Sequence, residues 1–448
     1  MSDFLKVADS HVFDVLKKSI LADGFDLVLD LEKSKGAKIY DSKNRRTLVD
    51  FFSFFASNPI GFNHPRMSEP AFEKKLLTYA RTKVSNSDIY TTAYAEFVQS
   101  FHKNCAPSFD RLFFIEGGAL GVENALKTAQ DWKVRKNLAS GKGEKGTQIL
   151  HFKEAFHGRT GYTLSLTNTL PEKIQYFPKF DWPRVTNPKM TFPITADSTK
   201  NVEALEAQAC AEIKRAFETR PDEICAIILE TIQGEGGDNF FRPEFLKKLR
   251  EFADTYDALL IFDEVQTGMG LTGKFWAWEH FGVQPDLMSF GKKVQVCGFA
   301  AKMKRLEEVD NVFKIASRIN STWGGNLVDM VRTTQFINII LEEKLLDHAT
   351  KMGARMLGEF HDISKQDERM TNVRGLGLWM AFDLPDGDFR KAFIRKAFEN
   401  GLVILACGHQ SVRVRPVLDI KETEVAEGME ILRKTLKEMS MQTTRKAL

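Results

Sequence analysis

Short, continuous apolar runs recur between residues 90 and 335, and a helix-like stretch follows each of them. Examples are residues 112–115, 226–229 and 258–262, which read LFFI, AIIL and ALLIF. Apolar runs of this length, without polar alternation, are typical of parallel strands that are buried on both faces. The pattern therefore predicts an α/β domain in which ligands bind at the carboxyl ends of the strands.

The regions on either side of this domain have a different pattern. Residues 51–60 read FFSFFASNPI, an apolar segment broken by turn-forming residues, and we expect it to line a site. After a long amphipathic helix predicted near residues 338–360, the elements become shorter and end in a helix from about residue 421. We therefore predict three parts. They are an N-terminal segment (1–75) that contributes to a small domain and lines the active site, a large α/β domain (76–335) and a C-terminal small α+β domain (336–448).

Length, charge and cysteine content limit the classes of protein to which this chain can belong. The chain has 448 residues, with 63 Lys plus Arg against 60 Asp plus Glu and a net charge of +3. This length favours two or three domains, and so small a charge excess argues against a dedicated nucleic-acid-binding protein. The five scattered cysteines include no C-x-x-C pair, so we expect a reducing cytoplasm and no metal site. Neither export nor membrane insertion is predicted.

An acidic pair and a lysine pair each follow an apolar run. Asp263 and Glu264 stand where a buried strand should end, so a carboxylate there can meet a positively charged ligand. A helix N-cap or a buried ion pair is an equally good interpretation of that pair. Lys292 and Lys293 lie in an apolar stretch, where burial would depress a lysine pKa and favour a Schiff base, although most Gly-Lys pairs lie in exposed loops.

Two further motifs suggest a planar, phosphorylated ligand. Residues 116–121 read EGGALG between a predicted strand and a predicted helix, where backbone amides can bind an anion, although such turns are often only tight turns. Phe156, His157 and Arg159 offer an aromatic face, an imidazole and a guanidinium. Taken singly, Phe156 would indicate core packing and His157 a structural histidine. Pyridoxal phosphate needs a lysine, a strand-end carboxylate, a phosphate cradle and an aromatic platform together.

These residues resemble the class III (subgroup II) pyridoxal-phosphate aminotransferases of fold type I. The resemblance rests on DEVQTG at residues 263–268, on Gly291-Lys292 and on FHGR at residues 156–159, and it runs nearly end to end. It implies a large domain around a mostly parallel seven-stranded sheet, a smaller α+β domain and pyridoxal 5'-phosphate as cofactor. It also implies a homodimer with shared active sites.

The same resemblance assigns roles to residues by position. Lys292 would form the Schiff base, since the family requires a small residue before that lysine, and Asp263 would pair with the pyridine nitrogen. Together with Glu235, these two are the predicted catalytic residues. The other cofactor-binding residues implied are Gly118, Ala119, Phe156, His157, Glu230, Gln266 and Thr322, the last acting in the neighbouring subunit. The substrate-binding residues implied are Arg159, Arg413, Glu235 and Asn320.

Within the family, the sequence looks most similar to the enzymes that act on L-lysine, through residues 51–58, 116–121, 165–169, 177–183 and 320–326. This similarity implies transfer of the ε-amino group to 2-oxoglutarate, giving L-glutamate and 2-aminoadipate 6-semialdehyde, which cyclises to piperideine-6-carboxylate. Arg159 would clamp a carboxylate, while Glu235 would neutralise Arg413 until 2-oxoglutarate arrives.

Three alternatives to this function remain. A 4-aminobutyrate or ornithine aminotransferase would share the cofactor site and differ only in the shape of its substrate pocket. A Rossmann-type oxidoreductase is disfavoured, because the sequence lacks G-x-G-x-x-G. A non-catalytic binding protein could also have this fold, since fold alone does not determine function.

Overall fold

Three β-sheets form the framework of the chain in a computed structural model that describes residues 6–446. The strands of these residues are β1 (Leu29–Lys35), β2 (Lys38–Asp41), β3 (Arg46–Asp50), β4 (Arg111–Ile115), β5 (Gln148–Phe152), β6 (Arg184–Val185), β7 (Ile224–Glu230), β8 (Leu259–Asp263), β9 (Leu287–Phe290), β10 (Cys297–Ala301), β11 (Thr371–Leu376), β12 (Trp379–Asp383), β13 (Leu402–Val403), β14 (Leu405–Cys407) and β15 (Ser411–Val414).

Helices connect and cover these strands. They are α1 (Val12–Leu16), α2 (Ser53–Ala56), α3 (Pro70–Ala80), α4 (Thr92–Cys105), α5 (Gly118–Ala139), α6 (Thr163–Leu166), α7 (Ala196–Thr219), α8 (Pro243–Thr255), α9 (Met303–Leu306), α10 (Leu327–Glu342), α11 (Leu345–Gln366), α12 (Gly387–Glu399) and α13 (Glu422–Lys446).

The central sheet has seven strands in the order β4-β10-β9-β8-β7-β5-β6. Strand β10 runs antiparallel to β4 and β9, whereas the other neighbouring pairs are parallel. The predicted mostly parallel seven-stranded sheet is therefore confirmed. Every residue of β7 and β8 is buried, because alternate side chains pack beneath α5 on one face and beneath α7 and α8 on the other.

Two smaller sheets lie outside the central one. Strands β11, β12, β15 and β14 form an antiparallel sheet, and β1, β2 and β3 form another with β13, which pairs with β3 in parallel. The C-terminal region thus completes a sheet built mainly from the N-terminal region. The smaller α+β part of the predicted fold is confirmed, while the limits at residues 75 and 335 stay a prediction.

The single helix predicted near residues 338–360 is wrong, because two helices occupy that region. Helix α10 ends at Glu342 and α11 begins at Leu345, with Lys344 between them in a left-handed conformation at φ 53°. Neither glycine nor proline marks this break in the sequence, and the apolar period continues across it. Hydrophobic spacing alone therefore did not reveal the interruption.

Helix α2 is a single left-handed turn within the apolar segment 51–60. Its four residues, Ser53–Ala56, have φ angles between 40° and 64°, a conformation that costs L-amino acids about 1–2 kcal/mol each. Interactions from outside the turn hold it in place. Asp50 Oδ1 accepts the N–H of Ser53 (2.9 Å), and Lys293 Nζ donates to Ala56 O (2.7 Å).

We predict that Gly298→Ala destabilises the fold, because a β carbon at this position in β10 would lie 1.9 Å from Phe113 O. Overpacking against backbone costs roughly 1–3 kcal/mol in the free energy of unfolding, measurable by urea titration. Gly358→Ala is the matched control, since a β carbon there meets no atom within 4 Å and Ala favours a helix interior by roughly 0.5–1 kcal/mol. Equal stability of the two variants would contradict this view of the sheet.

Candidate active site

A cavity of about 280 Å³ opens at the carboxyl ends of β7 and β8. Five separate stretches of the chain supply its walls, and they include most of the site residues predicted from the sequence. The lining residues are Gly118, Ala119, Val122, Phe156, His157, Gly158, Arg159, Glu230, Ile232, Asp263, Val265, Gln266, Thr267 and Lys292.

The N-terminus of α5 forms one end of this cavity. Gly117 precedes the helix at φ 106°, a conformation that glycine tolerates, and a β carbon on Gly118 would come within 3.0 Å of Val265. Helical hydrogen bonding begins at Leu120 N–H, which donates to Gly117 O (3.1 Å). The amides of Gly118 and Ala119 therefore stay available, at the positive end of a 22-residue helix, for an anion such as phosphate.

Asp263 and His157 form a buried pair at the base of the cavity. His157 Nδ1 lies 2.7 Å from Asp263 Oδ2, and the other carboxylate oxygen accepts the N–H of Val265 (3.0 Å). The imidazole Nε2 of His157 is buried without a hydrogen-bond partner in the described part of the chain. These contacts fix the orientation of the carboxylate, which lines the cavity where a protonated ring nitrogen can meet it.

Two buried glutamates brace the cavity through backbone and hydroxyl contacts. Glu230 accepts the N–H groups of Phe156 and Gly234, each at 2.9 Å, and burial raises its pKa to about 7. Glu264 accepts the Thr231 hydroxyl at 2.5 Å, together with two backbone amides. Of the acidic pair in the sequence, one member thus lines the cavity and the other is an internal brace.

The side chains of the adjacent residues Lys292 and Lys293 lie in different environments. Lys292 lines the cavity, and burial together with the charge of Arg413 lowers its pKa. Lys293 is buried, donates to Ala56 O at 2.7 Å, and has a pKa well below its ordinary value because of burial. An amine with a lowered pKa at the cavity wall is suited to form a covalent bond with an aldehyde.

The loop after β7 carries one side chain between glycines. A β carbon on Gly234 would lie 2.5 Å from Gln266 Oε1, and one on Gly236 would lie 2.1 Å from Glu154 O. The loop therefore packs closely between Gln266 and the backbone of Glu154, and at Gly236 a side chain would clash with that backbone. This packing positions Glu235 toward the strand that carries Arg413.

Glu235 and Arg413 form an ion pair beside the cavity. Arg413 Nη2 lies 2.8 Å from Glu235 Oε2, while Nε and Nη1 of this buried arginine have no hydrogen-bond partner among the described residues. Burial favours a neutral Glu235, but Arg413 and Lys173 outweigh it and lower the carboxyl pKa. The ring of Phe55, from the left-handed turn, lies 5.5 Å from the Arg413 guanidinium. Unsatisfied N–H groups beside an ion pair suit a carboxylate ligand.

Sequence reasoning missed Lys173 in this arrangement. Its ammonium contacts Glu235 Oε1, whereas Arg413 contacts the other carboxylate oxygen, Oε2. Residues 171–179 read PEKIQYFPK and contain two lysines, so no spacing rule marks Lys173 as the one that contacts the loop after β7.

Arg159 lies at the outer edge of the site. It is exposed and lines both the 280 Å³ cavity and a wider, open cavity of about 850 Å³, whose wall also contains Lys127, Tyr162 and Lys173. Arg159 and Arg413 therefore provide two separate positive groups around Lys292. This arrangement can bind a ligand that has an anionic group at one end or at both.

Asn320 and Thr322 do not line the cavity of their own chain. Both are exposed, in a segment held by Asn86, whose N–H donates to Trp323 O (3.2 Å) and whose side chain donates to Gly325 O (3.0 Å). Their predicted roles, at the substrate and in the neighbouring subunit's phosphate site, stay predictions.

Pyridoxal phosphate fits the cavity that these residues form. The unpaired N–H groups of α5 suit its phosphate, Asp263 suits its ring nitrogen, and Lys292 suits its aldehyde. Gln266 Oε1 is buried without a partner, which leaves an acceptor for a ring hydroxyl.

Residues 6–446 hold no group of three or more His, Cys, Asp or Glu side chains that could ligate a metal ion. Among the same residues, we find no helix with the length and apolar character needed to cross a membrane.

Comparison with known proteins agrees with this geometry. The model of the class-III aminotransferase family matches residues 21–436. The L-lysine-epsilon aminotransferase of Mycobacterium tuberculosis is 45% identical over 430 residues, covering 95% of this chain and 95% of that protein. The mitochondrial 4-aminobutyrate aminotransferase of Mus musculus is 31% identical over 425 residues, covering 90% of this chain and 83% of that protein.

A solved structure of a related enzyme has the same backbone fold. Lysine aminotransferase from M. tuberculosis in the internal aldimine form matches with a TM-score of 0.94 at 45% identity, covering 96% of this chain and 99% of that chain. The predicted fold is confirmed, and the oxidoreductase and non-catalytic alternatives are excluded. The chain belongs to the class-III aminotransferase family and is a pyridoxal-phosphate-dependent enzyme.

Proposed function

We propose that this aminotransferase transfers the ε-amino group of L-lysine to 2-oxoglutarate. The products are L-glutamate and 2-aminoadipate 6-semialdehyde, which cyclises to piperideine-6-carboxylate. The observation that carries this proposal is the pairing of Arg413 with Glu235 while Arg159 lies exposed at the edge of the cavity. The 45% identity to an L-lysine-epsilon aminotransferase over almost the whole chain supports it.

In the first half-reaction, the site must accept an amine at one end and a carboxylate at the other. Arg159 binds the α-carboxylate of lysine at the outer edge and so orients the distal amine toward Lys292. An unpaired Arg413 would repel this cation, but Glu235 neutralises the guanidinium. The buried ion pair therefore favours a donor without a carboxylate next to its reacting amine.

In the second half-reaction, 2-oxoglutarate brings a carboxylate next to its reacting carbonyl. Glu235 releases Arg413, whose Nε and Nη1 are already unpaired, and the guanidinium binds that carboxylate. Arg159 binds the distal carboxylate. Two arginines and one movable glutamate thus serve two different substrates in a single site.

The proton transfers depend on Lys292 and Asp263. When bound, pyridoxal phosphate supplies an electron sink for the electrons of the broken C–H bond. Lys292 Nζ, with its lowered pKa, takes the proton from the substrate carbon that carries the amine. Asp263, oriented by His157, holds the proton on the ring nitrogen.

We propose a homodimer in which Thr322 completes the phosphate site of the neighbouring subunit. Thr322 lies on the protein surface, outside its own cavity and next to the exposed Trp323. Lys83 Nζ lies 3.8 Å from the Trp323 ring centroid and fixes this segment. We also propose a cytoplasmic location, because the five cysteines are free.

An amine-donor panel tests the proposed function. Lysine, ornithine, 4-aminobutyrate and a buffer blank are each incubated with the holoenzyme and 2-oxoglutarate, and the glutamate formed is measured. We expect kcat/KM to be highest for lysine. A higher value for ornithine or 4-aminobutyrate would assign the enzyme to that donor instead.

We predict that Glu235→Ala shifts donor preference from lysine toward glutamate. Without this carboxylate, Arg413 repels the distal amine and binds the α-carboxylate of glutamate. The ratio of kcat/KM for the lysine and glutamate half-reactions should fall by roughly 10-fold or more, as single-turnover absorbance can measure. Glu172→Ala, which removes an exposed carboxylate from the turn that carries Lys173, should leave the ratio unchanged. An unchanged ratio in Glu235→Ala would rule out the switch.

A further inference from the structure

The Glu235 carboxylate has two cationic partners, one on each oxygen. Oε2 pairs with Arg413 Nη2 at 2.8 Å, and Oε1 pairs with the ammonium of Lys173. The proposed switch requires Glu235 to part from Arg413, yet it does not involve Lys173. The proposed switch therefore does not explain the role of the pair between Lys173 and Glu235.

Lys173 is well placed to keep its contact when the first pair breaks. It ends the short turn Pro171–Lys173, whose Lys173 N–H donates to Leu170 O (3.1 Å). Its side chain is 25% exposed, and its ammonium lies 5.5 Å from the ring centroid of Phe156. The ammonium thus sits between the cavity wall and Glu235, within the wider cavity that also contains Arg159.

The burial of Glu235 makes this second contact important. The Glu235 side chain is 19% exposed, and a carboxylate in such a place that loses its only cation is strongly disfavoured. With Lys173 present, Glu235 can leave Arg413 and still be paired. Without Lys173, release of Arg413 would leave the carboxylate unpaired, so the closed pair would be favoured.

We propose that Lys173 is a positioning residue that retains the Glu235 carboxylate when Arg413 is released, and so determines how readily the site binds a dicarboxylate. This inference rests on the proposed function, because it takes the release of Arg413 as the step that admits 2-oxoglutarate. It assigns Lys173 to the acceptor half-reaction and gives it no part in bond making.

Binding of glutarate to the holoenzyme tests the proposal without turnover, because glutarate has two carboxylates and no reactive carbonyl. By titration calorimetry, we expect Lys173→Met to raise the dissociation constant of glutarate about 10-fold, within the usual range of coupling between sites. Lys173→Arg should restore binding to within about 2-fold, because a guanidinium can also pair with Oε1. The kcat/KM for lysine should change less than about 3-fold, since the closed pair already suits that donor.

Lys179→Met is the matched control. Lys179 lies in the same wide cavity, but its ammonium donates to the carbonyls of Ile174 and Phe177 and does not contact Glu235. A general loss of positive charge would weaken glutarate binding equally in both Met variants, and that outcome would overturn the proposal. Unchanged glutarate affinity in Lys173→Met would overturn it as well.

A double-mutant cycle shows whether Lys173 acts through Glu235. In a Glu235→Gln background, Lys173→Met should change glutarate affinity less than about 2-fold, because no carboxylate remains to be retained. A 10-fold effect that persists in this background would mean that Lys173 attracts the ligand directly, contrary to the proposal. The cycle measures binding alone, so it stands even if the donor panel identifies a substrate other than lysine.

Discussion

Lys292→Ala is expected to abolish transamination while the chain stays folded. The side chain lines the cavity, and its proposed duties are to hold the cofactor and to carry the substrate proton. Loss of a group with both duties should lower the single-turnover rate by roughly 10⁴-fold or more. The cofactor absorbance of the internal Schiff base should also disappear, which a spectrum of the purified variant would show.

Lys293→Ala is the control for this prediction. Lys293 Nζ donates to Ala56 O and stays outside the cavity lining, so its loss should weaken the left-handed turn more than the chemistry. Urea titration should show lower stability for Lys293→Ala, whereas the Schiff-base absorbance should remain. If Lys293→Ala were inactive while Lys292→Ala kept full activity, the assignment of the two lysines would have to be reversed.

The strands that position the site were predictable because a strand buried on both faces has a continuous apolar run in the sequence. The runs 226–229 and 258–262 have no polar alternation, and they supply most of β7 and β8, which lie between two layers of helices. Parallel neighbours also end at the same edge of the sheet. Residues at the ends of such strands, Glu230 and Asp263, must therefore lie near one another.

The left-handed turn Ser53–Ala56 was beyond prediction for a different reason. Its residues include no glycine, and nothing in FFSFF indicates four positive φ angles in sequence. The conformation depends on Asp50, on Lys293 and on Arg415, the residue after β15, whose carbonyl accepts the hydroxyl of Ser53 (2.6 Å). The contacts with Lys293 and Arg415 come from residues more than 200 positions away, and no local pattern encodes them.

The candidate site likewise contains some residues whose roles the sequence indicated and others whose roles it did not. Lys292, Asp263 and the glycines at α5 belong to motifs with fixed spacing, so the sequence indicated their chemistry. Lys173 and the bracing role of Glu264 depend on where loops pack against the sheet. Loop packing has no period in the sequence, and these interactions became visible only in three dimensions.

Asp263→Asn is expected to impair turnover far more than folding. Asn has the same shape and can still contact His157 and Val265, so the buried hydrogen bonds largely remain. A neutral amide cannot, however, hold a proton on the ring nitrogen, and the electron sink weakens. We expect kcat to fall by at least about 100-fold, equivalent to about 3 kcal/mol in the activation free energy.

Glu264→Gln is the matched control for Asp263→Asn, because it makes the same chemical change at the adjacent residue. Glu264 is fully buried and accepts bonds from Thr231, Ala277 and Trp278, so one oxygen replaced by NH₂ should place a donor against donors. This variant should lose stability in urea titration by roughly 1–3 kcal/mol, with turnover per folded molecule much less affected. Near-normal turnover of Asp263→Asn with the cofactor bound would remove Asp263 from the chemistry and leave it, like Glu264, a structural carboxylate.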